Sequence, residues 1–264
     1  MDLKGRAVLL TGASGGIGRA AALRLARRGA RVALFARREE PLRALAKEIE
    51  EAGGQALAIP GDIRSTVDAY RAVVETTARF GRFDALVNNA GVGYLREVAE
   101  ATEDEIQEQL DVNLGGAIRM TRAALPALKA RRGSAIVNVA SFAGKIGAPY
   151  YSYYNASKFG LVGLTEGWRR ELGPLGIRVT LLLPAAVETP FLDRAGRERA
   201  LGVGPAGIVL GPERVAQGIE RALRRHSAEI YIPARNRWLA VLNVAAPALS
   251  DRIVNALFRY PRRS

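Results

Sequence analysis

The chain has 264 residues, 48% of them hydrophobic and 25% charged, which is a globular composition and excludes a disordered protein. With no cysteine and one histidine it has no disulfide, no cysteine nucleophile and no thiolate or multi-histidine metal site. The formal net charge is +13, carried by 34 arginines and only 5 lysines. Nine arginines and two acids lie between Arg221 and Ser264, a bias that suits nucleic acid, an acidic membrane surface or plain solubility.

Met1 to Arg6 does not read as a secretion signal, because the apolar run after it breaks at Gly12. No stretch reaches the roughly 18 apolar residues of a membrane span. The expectation is a soluble, cytoplasmic protein.

Short aliphatic runs alternate with amphipathic helical patterns. Ala7–Leu10 reads as a strand, and Ile17–Arg28 as a helix with Ala21, Ala22 and Leu25 on one face, stopped by Gly29. Arg31–Phe35 is a strand, Pro41–Glu51 a helix, Ala56–Ile59 a strand and Val67–Arg79 a helix. Ala85–Val87 is a strand, Glu103–Arg131 one long helical region and Ala135–Val139 a strand. Tyr151–Leu172 is a helix, Ile177–Leu183 a strand, Pro212–Arg225 a helix and Glu229–Ile232 a last strand. Strands this apolar suit burial on both faces. The predicted fold is therefore α/β: a Rossmann-type, doubly wound parallel sheet of about seven strands with helices on both faces, in a single domain. Residues 1–233 make up that domain, with a substrate loop at about 190–211. Residues 234–264 form a basic tail of two helices, Asn236–Ala245 and Ala248–Tyr260.

Three features carry chemistry. The first strand runs into Gly12-Ala13-Ser14-Gly15-Gly16-Ile17-Gly18, a glycine turn opening a helix, where free N–H groups suit a pyrophosphate. The spacing is G-x-x-x-G-x-G rather than G-x-G-x-x-G. The second strand ends in Arg37-Arg38 where NAD-binding sheets tend to carry an acid, and two guanidinium groups there suit the 2′-phosphate of NADP(H) over the ribose of NAD(H). Tyr154 and Lys158 stand four apart on a helix, so a cation neighbours a phenol and is expected to lower its pKa. Ser141, thirteen residues upstream, is placed to hold a carbonyl beside that phenol.

With these motifs the chain resembles the short-chain dehydrogenase/reductase family from about Leu3 to Ile232. Thr11–Gly18 is similar to its TGxxxGxG and Asn88-Asn89-Ala90-Gly91 to its NNAG. The resemblance implies an active-site tetrad of Asn113, Ser141, Tyr154 and Lys158. It also implies that Asp62, followed by Ile63, contacts adenine, that Asn89, Ala90 and Gly91 line the adenosine side, and that Pro184, Val187 and Thr189 hold the nicotinamide. Tyr154 would be the general acid of reduction and the base of oxidation. Lys158 would depress its pKa and hold the nicotinamide ribose, Ser141 would orient the carbonyl, and Asn113 would support a proton-relaying water. Two residues depart from the pattern: Ala185 follows Pro184 where a glycine is common, and Gly15 occupies a position often basic in NADPH-preferring members.

The implied partners are a small carbonyl or alcohol substrate and a second or further copies of the chain, as a homodimer or homotetramer. No nucleic-acid recognition motif is present. The substrate loop carries Phe191, Leu192, Leu201, Val203, Ile208 and Val209 with Arg194, Arg197 and Arg199, and Phe142, Ile146 and Tyr151 flank the catalytic positions. An apolar pocket for a lipophilic ketone, aldehyde or secondary alcohol is expected. In the tail, Trp238, Val241, Leu242, Ala245, Leu249, Ile253, Leu257 and Phe258 recur at helical spacing, which suits packing on protein or contact with a membrane surface. His226 reads as a solvated helix-end residue. Two other functions fit the same motifs: a dinucleotide sensor without turnover, and an NAD-dependent alcohol dehydrogenase.

Overall fold

A computed structural model describes residues 1–196 and 209–257. Seven strands form one sheet: β1 Ala7–Thr11, β2 Arg31–Ala36, β3 Gln55–Pro60, β4 Ala85–Asn88, β5 Ala135–Val139, β6 Arg178–Pro184 and β7 Glu229–Ile232. Their order is β3-β2-β1-β4-β5-β6-β7, and every pairing is parallel. The order reverses between β1 and β4, which opens a crevice at the carboxyl ends of those strands.

The helices are α1 Gly16–Arg27, α2 Glu39–Glu51, α3 Thr66–Phe80, α4 Glu103–Leu110, α5 Gly116–Lys129, α6 Ser152–Leu172, α7 Pro190–Ala195, α8 Pro212–Arg224, α9 Asn236–Ala245 and α10 Pro247–Leu257. Successive strand side chains point to opposite faces. Val8 and Leu10 therefore pack with Ala21, Leu25, Leu42 and Ile219 under α1, α2 and α8. Ala7 and Leu9 pack with Ala72, Val73, Met120 and Ala124 under α3 and α5, and Leu161 and Val162 of α6 meet Leu181 and Leu183. Each fully buried Val or Leu of these layers contributes about 1.5–3 kcal/mol.

Local chemistry sets the helix ends. Ser65 caps the Asp68 N–H of α3, and Gly81 ends that helix at φ +71°. Thr102 and Glu105 form a reciprocal capping box at α4. The region expected as one long helix, Glu103–Arg131, is interrupted. Asp111–Gly115 forms a wide π turn, closed by Gly116 N–H donating to the Asp111 carbonyl, between α4 and α5. Such turns are rare and mark functional sites in many helices, and this one carries Asn113.

The tail forms the first predicted helix at Asn236–Ala245 and a second at Pro247–Leu257; its expected continuation to Tyr260, with Phe258, lies outside the described residues. Leu201, Val203, Ile208, Arg197 and Arg199 of the substrate loop also lie outside them, as does the side chain of Arg194. His226 is exposed just beyond α8. No helix among the described residues is long and apolar enough to cross a membrane.

Candidate active site

A cavity of about 750 Å³ follows the crevice. One end is the glycine turn between β1 and α1. Gly12 has φ +67°, and a Cβ on it would lie 2.8 Å from the Ala90 backbone; Gly16 has φ +51°, and a Cβ there would meet Thr189 at 2.8 Å. Only glycine permits both the backbone shape and the close approach. Gly15 precedes α1 without a side-chain cap, so the first N–H groups of that helix face the cavity free for an anion. Ser14, Gly15, Ile17 and Gly18 line the same end.

The turn is held from beneath by Thr11 together with Asn89 and Ala90. Thr11 Oγ1 accepts from Asn89 N–H at 2.9 Å and Ala90 N–H at 3.0 Å, and Asn89 Nδ2 donates to the Thr11 carbonyl at 2.9 Å. The NNAG segment is thereby locked to the end of β1. A buried net of Asn88, Thr121, Asn138 and Thr165 ties β4 and β5 to α5 and α6.

Arg37 and Arg38 both line the cavity and are exposed. Arg38 Nη2 donates to Ser14 Oγ at 3.3 Å, so its guanidinium sits on the glycine turn. Arg37 is 3.7 Å from Glu108. Asp62 lines the cavity with Ile63, but its carboxylate is gripped by Arg64 at 2.6 Å, which holds it below the usual carboxylate range. Gly91, Pro184, Val187 and Thr189 border the middle of the cavity. Val187 is fixed by a parallel bridge to Leu210. The glycine cradle, the free helix N-terminus and the two guanidinium groups together fit a phosphorylated dinucleotide.

Ser141, Tyr154 and Lys158 converge on the same cavity. Tyr154 lies in the first turn of α6 and Lys158 one turn on. Both are buried, and Lys158 Nζ is 5.6 Å from the Tyr154 ring centre. Nζ also donates to the Val139 carbonyl at 3.4 Å. The expected depression of the phenol pKa does not appear. Burial is the larger effect and pushes Tyr154 up to about 12, against a hydrogen bond from Ser141 that favours the phenolate. The same burial brings Lys158 down to about 8, which weakens the cation that was to acidify its neighbour.

Asn113 is close by but committed. Its Nδ2 donates to the Val92 carbonyl and to Ser157 Oγ, each at 2.9 Å, and its Oδ1 accepts from Val92 N–H at 2.8 Å. It clamps the chain after β4 to α6. Asn155, which sequence reasoning passed over, does the same for the loop after β5: it donates to the Ala143 carbonyl and to the Ile146 carbonyl at 3.0 Å, and accepts from Ala148 N–H at 3.3 Å. Its position beside Tyr154 was the available signal.

Beyond Ser141, Tyr154 and Lys158 much of the cavity is lined by apolar groups. Phe142, Ile146, Tyr151, Phe191, Leu192 and Val209 line it. Phe191 stands 5.7 Å from the Tyr154 ring and packs on Gly93, and Tyr151 is 6.0 Å from Tyr154. Tyr150 adopts φ +68°, the one non-glycine residue with positive φ among the described residues, immediately before Tyr151. The tail closes the far end through Leu239, Leu242, Ile253 and Val254.

Comparison with known proteins agrees with this arrangement. The family model described as short chain dehydrogenase matches residues 6–200. The ketoacyl reductase HetN of Nostoc sp. is 34% identical over 260 residues, covering 98% of this chain and 90% of that protein. A short chain dehydrogenase from Burkholderia cenocepacia in complex with NADP superposes with a TM-score of 0.78 at 32% identity, over 88% of this chain and 97% of that one. A 3-ketoacyl-(acyl-carrier-protein) reductase from Brucella melitensis complexed with NADH gives 0.79 at 32% identity, over 87% and 97%. A matched stretch this long, with whole-length relatives and neighbours, means that the chain belongs to the short-chain dehydrogenase family of nicotinamide-dependent oxidoreductases.

Proposed function

We propose that the protein is an NADP(H)-dependent oxidoreductase that moves a hydride between the nicotinamide and a carbonyl or secondary alcohol of a lipophilic substrate. The observation that carries this reading is the convergence of Ser141, Tyr154 and Lys158 on one cavity, with a glycine cradle at one end and apolar walls at the other.

The bound dinucleotide supplies the hydride. Among the residues that line the cavity, the glycine turn with the N-terminus of α1 would bind its pyrophosphate, Asp62 and Ile63 would hold the adenine, Asn89 to Gly91 the adenosine side, and Pro184, Val187 and Thr189 the nicotinamide. The related structures hold NADP in one case and NADH in another, so the preference for NADP(H) is read from Arg37 and Arg38. The cation on the glycine turn itself is Arg38, bonded to Ser14, which stands in for a basic residue at position 15.

In reduction, Ser141 donates a hydrogen bond to the substrate oxygen and opposes its developing charge. Tyr154 gives that oxygen its proton. A phenol raised to about 12 by burial keeps its proton at neutral pH, which suits a donor. In oxidation Tyr154 takes the alcohol proton. Lys158 favours the phenolate left after proton transfer and holds the nicotinamide ribose. The Asn113 side chain is occupied by Val92 and Ser157, so its part in a proton relay falls to its backbone carbonyl in the π turn.

Residues 1–233 form the catalytic domain, with 190–211 as its substrate loop, and residues 234–264 are its tail, of which Leu239, Leu242, Ile253 and Val254 line the substrate end. The same reading gives a cytoplasmic homodimer or homotetramer. Its test is NADPH consumption with a panel of aliphatic and aromatic ketones and aldehydes, run beside Tyr154→Phe. A loss of about 10²–10⁴-fold in turnover with cofactor affinity retained supports it. Cofactor binding without turnover by the parent protein favours a sensor instead, and equal turnover by the variant removes Tyr154 as the donor.

A further inference from the structure

Helix α9 has two apolar faces with different surroundings. Leu239, Leu242 and Asn236 look into the substrate end of the cavity, and Ala240 is buried. The opposite side carries Trp238, Val241 and Val244, which are 73%, 51% and 82% exposed. Their spacing of three puts them in one stripe, and Arg237, also exposed, lies within it. On α10, Ser250, Ile253 and Val254 face the cavity, whereas Leu249 and Arg252 are exposed.

This orientation is fixed by polar contacts. Ser250 Oγ donates to Asn243 Oδ1 at 2.8 Å, and Asn243 Nδ2 donates to the Lys145 carbonyl at 3.3 Å. Lys145 in turn pairs with Glu229 at 2.7 Å. The helix pair is thus tied to the loop that follows Ser141, with its inner face on the cavity and its outer stripe pointing away from the domain.

The geometry points to an anionic lipid bilayer as the occupant of the outer stripe, with α9 as the thin wall between that surface and the substrate cavity. A second copy is the poorer fit. A two-fold interface would set the patch against itself, and among the described residues the exposed Arg237 and Arg252 flank it. Like charges brought together across an interface are unfavourable, whereas a negatively charged surface complements them. A tryptophan beside aliphatic residues and arginines is the composition of a helix lying in a membrane interface. A helix is about 10–12 Å across, so a lipophilic substrate dissolved in the bilayer would lie one helix diameter from the substrate end of the cavity. That loading role rests on the oxidoreductase reading above; the docking itself does not.

The full-length protein is tested by co-sedimentation with vesicles of phosphatidylcholine alone and with about one third phosphatidylglycerol, a mixture rich enough to create a surface potential. A Trp168→Phe background leaves Trp238 as the only indole. Binding to the anionic vesicles, weaker binding to the neutral ones, and a blue shift of Trp238 emission are expected. Trp238→Ser with Val241→Ser should abolish the binding, and Arg237→Glu with Arg252→Glu should weaken it by roughly tenfold or more. None of these four side chains lines the cavity, so turnover of a water-soluble ketone should be unchanged. Failure to bind anionic vesicles, or equal binding by the Trp238→Ser, Val241→Ser protein, overturns the proposal. So does a dimer in sedimentation velocity that this double variant splits, because the stripe is then covered by a second copy. Binding with the expected blue shift in a protein that reduces no carbonyl supports docking and counts against the oxidoreductase reading alone.

Discussion

Asn113 of the π turn and Ser157 of α6 share a buried hydrogen bond, 2.9 Å from Nδ2 to Oγ. Ser157 Oγ in turn donates a hydrogen bond to the Tyr154 carbonyl at 2.8 Å. A single hydroxyl therefore joins the wide turn to the helix turn that carries the phenol. Ser157→Ala should leave the Asn113 amide one partner short and cost about 1–3 kcal/mol in urea unfolding. Turnover should fall with it, because α6 loses its tie to the chain after β4. An unchanged unfolding midpoint would mean that a water takes the place of the hydroxyl.

Lys158 and Tyr154 give a pH dependence with opposite signs. Burial lowers Lys158 from 10.5 to about 8, so between these values the unfolded chain holds a proton that the folded chain has released. Stability from this group rises with pH across that window, and below about 8 the buried charge is a cost. Tyr154, raised from 10.0 to about 12, does the reverse: the folded form keeps its proton after the unfolded form has lost it, and stability falls above 10. Lys158→Met removes the first effect. Urea titrations of the cofactor-free protein from neutral pH upward should find the variant ahead near pH 7 and the difference shrinking above pH 8. A difference that stays constant with pH would show that Lys158 titrates as it does in the unfolded chain.

The alternation of strands and helices was readable because burial on both sheet faces leaves continuous apolar runs, and the tail helix Asn236–Ala245 ends where its pattern ends. The glycine turn was readable because its backbone demands a residue type. The π turn was not, since Asp111–Gly115 continues the helical spacing and one widened hydrogen bond leaves no mark in it. The Asn155 clamp depends on where a loop twelve residues earlier folds back, which no local pattern encodes. The phenol failed the expectation for a related reason. Spacing shows that Lys158 is one turn from Tyr154, but it does not show that both sink out of water, and desolvation sets the direction of both shifts.

Arg38 and Arg37 differ in what surrounds them. Arg38 sits on Ser14 of the glycine turn, and Arg37 is balanced by Glu108, which itself accepts from Tyr94 Oη at 2.5 Å. Hydrogen bonds to charged groups contribute about 1.5–3 kcal/mol, so Arg38→Ala should weaken NADPH by roughly 10- to 100-fold and leave NADH nearly unchanged. Arg37→Asp should shift preference toward NADH by placing a second carboxylate beside Glu108. Fluorescence titration of each protein with both cofactors checks this. Equal losses for NADPH and NADH would assign the arginines to the shape of the turn rather than to the phosphate.

Leu242 supplies the test of the tail as a wall of the substrate site. Its side chain lines the cavity from α9. Enlarging it takes volume from the substrate end only, since the glycine turn and the tetrad lie on other elements. Leu242→Trp should therefore leave cofactor affinity and the turnover of small ketones near the parent values. For long aliphatic ketones, kcat/KM should drop by about tenfold or more, because the lost apolar contacts amount to one or more methylene groups at about 0.8 kcal/mol each and the remainder of the chain is displaced. A uniform loss across substrate lengths would mean instead that the substitution moves α9 and, through Asn243 and Lys145, disturbs the loop that carries Ser141.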